Sequence, residues 1–425
     1  MLTTSDLPSH PIPLCPFTTR DGLPHVAQRI AAKARIRVAY LGGSITAQPG
    51  WRVKIQNWLQ QQFAPCAFEE IHAAIGGTGS DLGVLRLDHD VLQYQPDLLF
   101  VEFAVNDSKA SPKAIIQDME GIVRKTWRSF PECDICFVYT LMEGLMPELK
   151  AGYFNRSAAT MEQVADFYGI PSVHMGFQVV QLRKADKLVM KAPDAEIERV
   201  SGDELNQSAA MRVDAEGRIP FAKDGVHPYL DTGHQLYFEA LSAAMIVFLE
   251  NAKTPVPHAL AQPMARDNAQ DAYEVDIPGA VISGTCELLP VDHPLREQFG
   301  GRLTSIYQLK PGTTLSIIFN GYAMSCYDLI GPGCGQIEVT VGETTTRIPR
   351  FDGYCTYTRL SLKKVITELD PLLTHQVTLT VLDEPYDKQD MLFPHNRDDF
   401  TQNPKKYEGR SWYLGKIFAY PVLTE

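Results

Sequence analysis

The chain has 425 residues, 44% of them apolar, and carries 39 Lys and Arg against 51 Asp and Glu, a formal net charge of −12. That length exceeds one ordinary core and suits two domains, with three as the alternative, and the apolar content excludes wholesale disorder. The acidic balance, with no Lys/Arg run to offset it, argues against nucleic acid or a polyanionic membrane surface as a partner.

Met1 to Arg20 contains four prolines and lacks the apolar core of a signal peptide. No stretch approaches the roughly 20 apolar residues of a membrane span. The expectation is a cytoplasmic protein with residues 1–35 as an N-terminal arm. From Ile36 to about Glu250 short apolar runs alternate with helical periodicity. Candidate strands are Ile36–Leu41, Phe68–Ala73, Asp97–Phe103, Ile135–Tyr139 and Ser172–His174. Between the first two, Trp51, Ile55, Trp58, Leu59 and Phe63 recur at three- and four-residue steps and share one helix face. Pro112–Arg128 and Arg156–Tyr168 read as helices, and Gly233–Leu249 as a largely apolar closing helix. Val-, Ile-, Leu- and Phe-rich strands alternating with helices imply an α/β class: a three-layer α/β/α sandwich around a parallel sheet, over residues 36–250. One stretch, between His174 and Asp224, breaks the rhythm; it includes Lys184–Lys191 and the charged run Asp194–Glu204. It reads as a binding loop or lid, or as a pair of surface helices.

Residues 251–267 are Pro/Ala-rich and suit a linker. Beyond them, in 268–425, helical periodicity disappears. Leu315–Phe319, Ile337–Val341, Thr345–Pro349, Val377–Leu382 and Lys416–Pro421 are short β-like runs between Gly, Pro and Asp turns. They imply an all-β sandwich or jelly roll. The eight cysteines are scattered and suit reduced, buried thiols. Cys133 and Cys136 have CxxC spacing, but they lead into an apolar strand with no second pair, so neither a metal nor a redox role is expected.

Four polar motifs stand out against this frame. In Tyr40-Leu-Gly-Gly-Ser44-Ile-Thr46 an apolar strand runs into two glycines and a serine whose hydroxyl is exposed at the strand's carboxyl end. Alone, such a turn suits a phosphate site or a plain turn as well as a nucleophile. Ala74-Ile-Gly-Gly77-Thr-Gly-Ser80 can present backbone N–H groups to an anion, yet it lacks the Lys-Ser/Thr ending of a P-loop and a full dinucleotide fingerprint. Phe103-Ala-Val-Asn106-Asp107 offers a neutral amide donor, and by itself reads equally as an Asx turn or cap. In Lys223-Asp224-Gly-Val-His227-Pro228 a carboxylate and an imidazole three residues apart can meet, the usual arrangement for a base that deprotonates serine. Three of the motifs follow strands and the fourth precedes the last helix, so together they supply nucleophile, anion donors, base and orienter at one sheet edge.

In these four blocks the chain resembles the SGNH/GDSL hydrolase superfamily, whose blocks contribute Ser, Gly, Asn and His in that order. The resemblance covers about Ile36–Glu250 and implies a flavodoxin-like fold. Gly42-Gly43-Ser44-Ile45 stands where the family has Gly-Asp-Ser-Leu. Gly77 best matches the second-block glycine, with Gly76 as a one-residue-shift alternative. Asn106 matches the third block, and Asp224-Gly-Val-His227 the fifth. Two departures, Gly43 for Asp and Ala104 for the usual Gly, remove no functional group.

The resemblance implies that Ser44 attacks an ester carbonyl, His227 accepts its proton and Asp224 orients the imidazole. The oxyanion would be met by Ser44 N–H, Gly77 N–H and the Asn106 amide. No metal and no cofactor is required. The C-terminal β module loosely resembles those attached to some carbohydrate esterases. Asp352-Gly-Tyr354 and Ser411-Trp-Tyr413 offer rings either for sugar faces or for the sandwich core. The expected partner is a small-molecule or glycan ester, deacetylation of a sugar being the leading case. An O-acetyltransferase using the same triad and a non-catalytic carbohydrate-binding protein are the alternatives.

Overall fold

Uninterrupted apolar runs become strands buried on both faces. In the computed structural model, which describes residues 11–192 and 212–421, the chain divides into two units, Met1–Gln270 and Asp271–Glu425.

In the first unit the strands are β1 (Phe17–Thr18), β2 (Arg35–Gly42), β3 (Ala67–Ala74), β4 (Leu98–Glu102), β5 (Asp134–Tyr139) and β6 (Ser172–His174). They form one sheet in the order β1-β6-β5-β4-β2-β3, parallel except for β1. The helices are α1 (Pro24–Ala31), α2 (Ser44–Ala47), α3 (Trp51–Gln62), α4 (Ser80–Asp90), α5 (Pro112–Ser129), α6 (Met146–Lys150), α7 (Arg156–Tyr168), α8 (Phe177–Lys184) and α9 (Gly233–Glu250). Tyr40, Phe100, Cys136 and Val138 pack with Trp51, Ile55, Leu59 and the apolar residues of α9 in one core. Their neighbours Ala39, Leu41, Val101 and Phe137 are equally buried and, by the two-residue period of a strand, face the α4–α5–α7 layer. This is the expected α/β/α sandwich. Strand β2 is the pivot: the chain passes from it to β3 on one side and then to β4 on the other. A parallel sheet opens a crevice beyond its carboxyl ends at such a reversal.

The stretch that breaks the rhythm contains α8 and a small parallel pair, β7 (Leu188–Lys191) with β8 (Ile219–Ala222). Its charged run Asp194–Glu204 lies outside the described residues. After α9 the chain runs extended along α5. Arg124 donates to the Ala261 carbonyl at 2.7 Å, and Glu120 accepts from the N–H groups of Met264 and Ala265 at 2.6 and 2.8 Å. No helix among the described residues is long and apolar enough to cross a membrane.

The second unit is all antiparallel. One sheet has β10 (Val281–Ser283), β13 (Thr314–Asn320), β18 (Thr374–Leu382), β15 (Gln336–Val341) and β16 (Thr344–Pro349) in that order. The other has β11 (Cys286–Leu288), β12 (Tyr307–Leu309), β19 (Trp412–Tyr420), β14 (Ala323–Ile330) and β17 (Arg359–Ile366), with β9 (Tyr273–Val275) paired to β19. Leu315, Ile317, Ile337, Val339, Val377 and Leu379 of the first sheet share a core with Met324, Cys326, Trp412, Leu414 and Ile417 of the second. Trp412 is a core residue and not a sugar platform: it is fully buried and donates its indole N–H to Asp328 Oδ2 at 2.7 Å. Asp328 also receives both arms of Arg350, at 2.6 and 2.7 Å. Tyr354 differs, being 53% exposed and packed edge-on against Phe393. Cys133 and Cys136 are buried free thiols, and burial raises the pKa of both.

Candidate active site

Three adjacent strands, β4, β2 and β3, deliver three of the four motifs to one edge, and the loop after β8 brings the fourth. Strand β2 ends at Gly42, and Ser44 opens the single turn of α2. Its Oγ lies 2.9 Å from His227 Nε2, and His227 Nδ1 lies 2.7 Å from Asp224 Oδ2. The other carboxylate oxygen of Asp224 accepts from the N–H groups of Val226 and His227 at 2.9 and 2.8 Å. Burial alone would raise the Asp224 pKa. The hydrogen bonds from the His227 ring and from the two N–H groups outweigh that effect and hold it near about 2. The carboxylate is therefore ionised at neutral pH, poised to keep the proton on Nδ1 and the lone pair on Nε2. Ser44 and His227 are half-buried and Asp224 is exposed, so the line of groups opens to solvent.

The loop bearing Asp224 and His227 is closed by local pairing. Ala222 bridges Pro228, and Tyr229 N–H donates to Phe221 O at 2.9 Å. Gly225 adopts φ +81°, a left-handed conformation that favours glycine. Its carbonyl accepts from Glu143 N–H at 2.8 Å, and a Cβ there would lie 3.0 Å from the Glu143 carboxylate.

Asn106 begins a short 3-10 turn after β4, and its carboxamide lies on the backbone of Gly43. A Cβ on Gly43 would sit 2.1 Å from Asn106 Oδ1. Glycine at this position leaves the amide the room it occupies here, and a Cβ would require the Asn106 side chain to shift. In the β3–α4 loop both second-block glycines are exposed. Gly77 has φ +74°, while Gly76 is the nearer to the serine, its Cβ position lying 3.6 Å from Ser44 Cβ. The five candidate residues Ser44, Gly77, Asn106, Asp224 and His227 therefore all lie in segments that follow strands, at the carboxyl edge.

Three buried groups support this edge in roles that the sequence does not reveal. Glu102, fully buried at the end of β4, accepts from Thr46 Oγ1 at 2.9 Å, from Thr140 Oγ1 at 2.6 Å and from the Gly43 N–H. It ties the serine turn to β4 and β5. Burial raises its pKa against these three donors. The signal was available: a lone carboxylate in an otherwise apolar strand must find partners. His234, at the start of α9, accepts from Trp51 N–H at 3.1 Å and lies 3.2 Å from Gln48 Oε1. Burial lowers its pKa to about 3, so it stays neutral and joins the segment after Ser44 to the helix after His227.

Asp107 is the third. It accepts from Ser80 N–H at 3.1 Å, anchoring the glycine loop, and its other oxygen is buried with no hydrogen-bond partner among the described residues. Burial raises its pKa to about 8. The unfolded chain therefore releases this proton near the usual pKa of about 4, whereas the folded chain keeps it to about 8. Folding stability then falls as pH rises through that window. Asp107→Asn is expected to flatten this part of the stability profile, as measured by denaturant midpoints between those pH values.

The class this fold and site define is that of a carboxylic ester hydrolase. Residues 40–228 match the model of the GDSL-like Lipase/Acylhydrolase family. Among solved structures the chain is similar to a two-domain esterase (CEX) active on acetylated mannans. The match has 18% identity and a TM-score of 0.69, covering 96% of this chain and 98% of that one. The same enzyme co-crystallised with mannopentaose matches at 17% identity and a TM-score of 0.68, with the same coverage. At such identity the likeness is one of fold, and it extends over both units. No curated protein matches the chain in sequence.

Proposed function

We propose that this protein is a serine acetyl esterase acting on acetylated carbohydrate, with an acyl-enzyme on Ser44. The observation that carries the reading is the continuous hydrogen-bonded line Ser44–His227–Asp224, with separations of 2.9 and 2.7 Å. Ser44 Oγ attacks the acetyl carbonyl carbon as its proton passes to His227 Nε2, and the carbonyl π electrons move onto oxygen. The oxyanion takes hydrogen bonds from Ser44 N–H, Gly77 N–H and the Asn106 amide. Collapse re-forms the carbonyl and breaks the bond to the sugar oxygen, which leaves with the proton from His227. Water then adds by the same route and releases acetate.

Support for a carbohydrate alcohol comes from the similarity over both units to an esterase active on acetylated mannans, and from the opening of the triad to solvent, where a bulky glycan can approach. The test is acetate release from acetylated manno-oligosaccharides and from p-nitrophenyl acetate. Turnover of both, with higher kcat/KM on the oligosaccharides, is expected. Turnover of p-nitrophenyl acetate alone would refute the carbohydrate part.

The Gly43–Asn106 contact yields a second test. Gly43→Ala is expected to displace the Asn106 amide and lower kcat by on the order of 10²–10³, the usual cost of losing one oxyanion donor. KM should change little. An unchanged kcat would remove Asn106 from the oxyanion role.

A further inference from the structure

At the opposite, amino-terminal edge of the sheet, three side chains far apart in sequence converge. His25 lies in the first turn of α1, Asp134 is the first residue of β5, and His258 belongs to the extended segment after α9. One potential ligand atom from each lies within 4.8 Å of the others. His258 Nε2 is 3.1 Å from Asp134 Oδ1, and His25 Nε2 is 2.9 Å from the Val256 carbonyl oxygen. Tetrahedral zinc with bonds of about 2.0–2.1 Å has ligand-to-ligand edges of about 3.3 Å. These two pairs are already near that edge, and closing the remaining separations from within 4.8 Å would place an ion among the three side chains with Val256 O as a fourth neighbour.

The surroundings orient these groups. Asp134 Oδ2 is occupied by the Val26 N–H at 2.8 Å, which directs Oδ1 toward the histidines. The His258 ring is stacked on Trp127, with centroids 4.3 Å apart and planes 10° from parallel, and the backbone N–H of His258 donates to Pro131 O at 2.7 Å, holding the segment in place. Outer contacts of this kind set the direction of metal ligands. His25 and Asp134 are almost wholly buried, while the His258 side chain keeps 17% of its surface exposed and marks the side of entry.

We propose that His25, Asp134 and His258 form a structural binding site for a zinc-class divalent cation that fastens the segment after α9 to α1 and β5. The donor set, two imidazoles and one carboxylate, is of the borderline type that zinc takes. This function is separate from acyl transfer, since the cluster sits at the far edge of the sheet from Ser44.

The test uses the full chain after chelator treatment and dialysis. Titration calorimetry with Zn²⁺ is expected to show one saturable equivalent per chain and a raised Tm. Co²⁺ added instead is expected to give the intense visible bands of tetrahedral coordination. His25→Ala and His258→Ala should each weaken Zn²⁺ binding by more than about 100-fold, since even outer-shell changes cost about 10–100-fold. Ser44→Ala should bind as the parent does. Absence of a saturable equivalent, the pale spectrum of octahedral cobalt, or undiminished affinity in both histidine variants would each overturn the proposal. The cobalt spectrum of the parent decides the matter even if a histidine variant does not fold.

Discussion

Ser44→Ala is expected to lower kcat for acetyl-ester hydrolysis by on the order of 10⁴–10⁶ while leaving Tm close to that of the parent. The serine is half-buried, and its hydroxyl is bonded to His227 Nε2, so removing one oxygen creates no large cavity. The loss falls on chemistry, because no other hydroxyl among the described residues stands in the same hydrogen-bonded line. Asp224→Asn should cost about 10⁴ for a different reason. The carboxamide no longer holds the imidazole in the tautomer that leaves Nε2 free to accept. Combining the two substitutions should cost scarcely more than Ser44→Ala alone, since a base without its nucleophile has nothing to activate. Steady-state rates of the two single variants and the double variant check this. Losses that multiply would mean the residues do not act as one unit.

Asp328→Ala should have the largest effect on the second unit, about 3–5 kcal/mol of its folding stability. Asp328 is fully buried, grips Arg350 through both arms and takes the indole N–H of Trp412. Burial pushes its carboxyl upward, and the guanidinium pulls the other way. Removing the carboxylate leaves a buried cation and a buried indole donor unpaired, a cost well above that of losing the side chain's volume. Amide hydrogen exchange in β14 and β19, followed by mass spectrometry, should speed up accordingly, with the strands of the first unit unchanged. Exchange in β14 equal to that of the parent would show that the cluster contributes little.

The first unit was legible because its strands carry a simple signal. Largely buried, Ile36–Leu41 and Asp97–Phe103 read as apolar runs broken only by Arg37, Asp97 and Glu102, and they become β2 and β4 with ends shifted by a residue or so. Helix α1, although amphipathic, fell inside the segment read as an arm, and α4 and the pair β7–β8 went unread because they are stabilised by packing and pairing across the fold and not by their own period. In the second unit β14 was missed although every residue of it is buried. Its sequence Ala323-Met-Ser-Cys-Tyr-Asp-Leu-Ile330 mixes Ser and Asp into a core strand, and Asp328 is tolerated only because Arg350 and Trp412 reach it. Ser44, Asn106, Asp224 and His227 stood out through glycines and polar groups at strand ends. Their supports did not, because Glu102 and His234 act through partners tens of residues away. The cluster of His25, Asp134 and His258 has no local spacing at all, and only the fold brings it together.

The central claim, that acyl transfer passes through Ser44, is tested most directly by trapping the nucleophile. The full chain would be treated with a serine-directed fluorophosphonate and the modified peptide mapped by mass spectrometry. The account predicts stoichiometric phosphonylation on Ser44 with parallel loss of acetyl-ester hydrolysis, and no labelling in Ser44→Ala. Inactivation with Ser44 unmodified, or a Ser44→Ala protein that hydrolyses acetyl esters at the parent's rate, would contradict it.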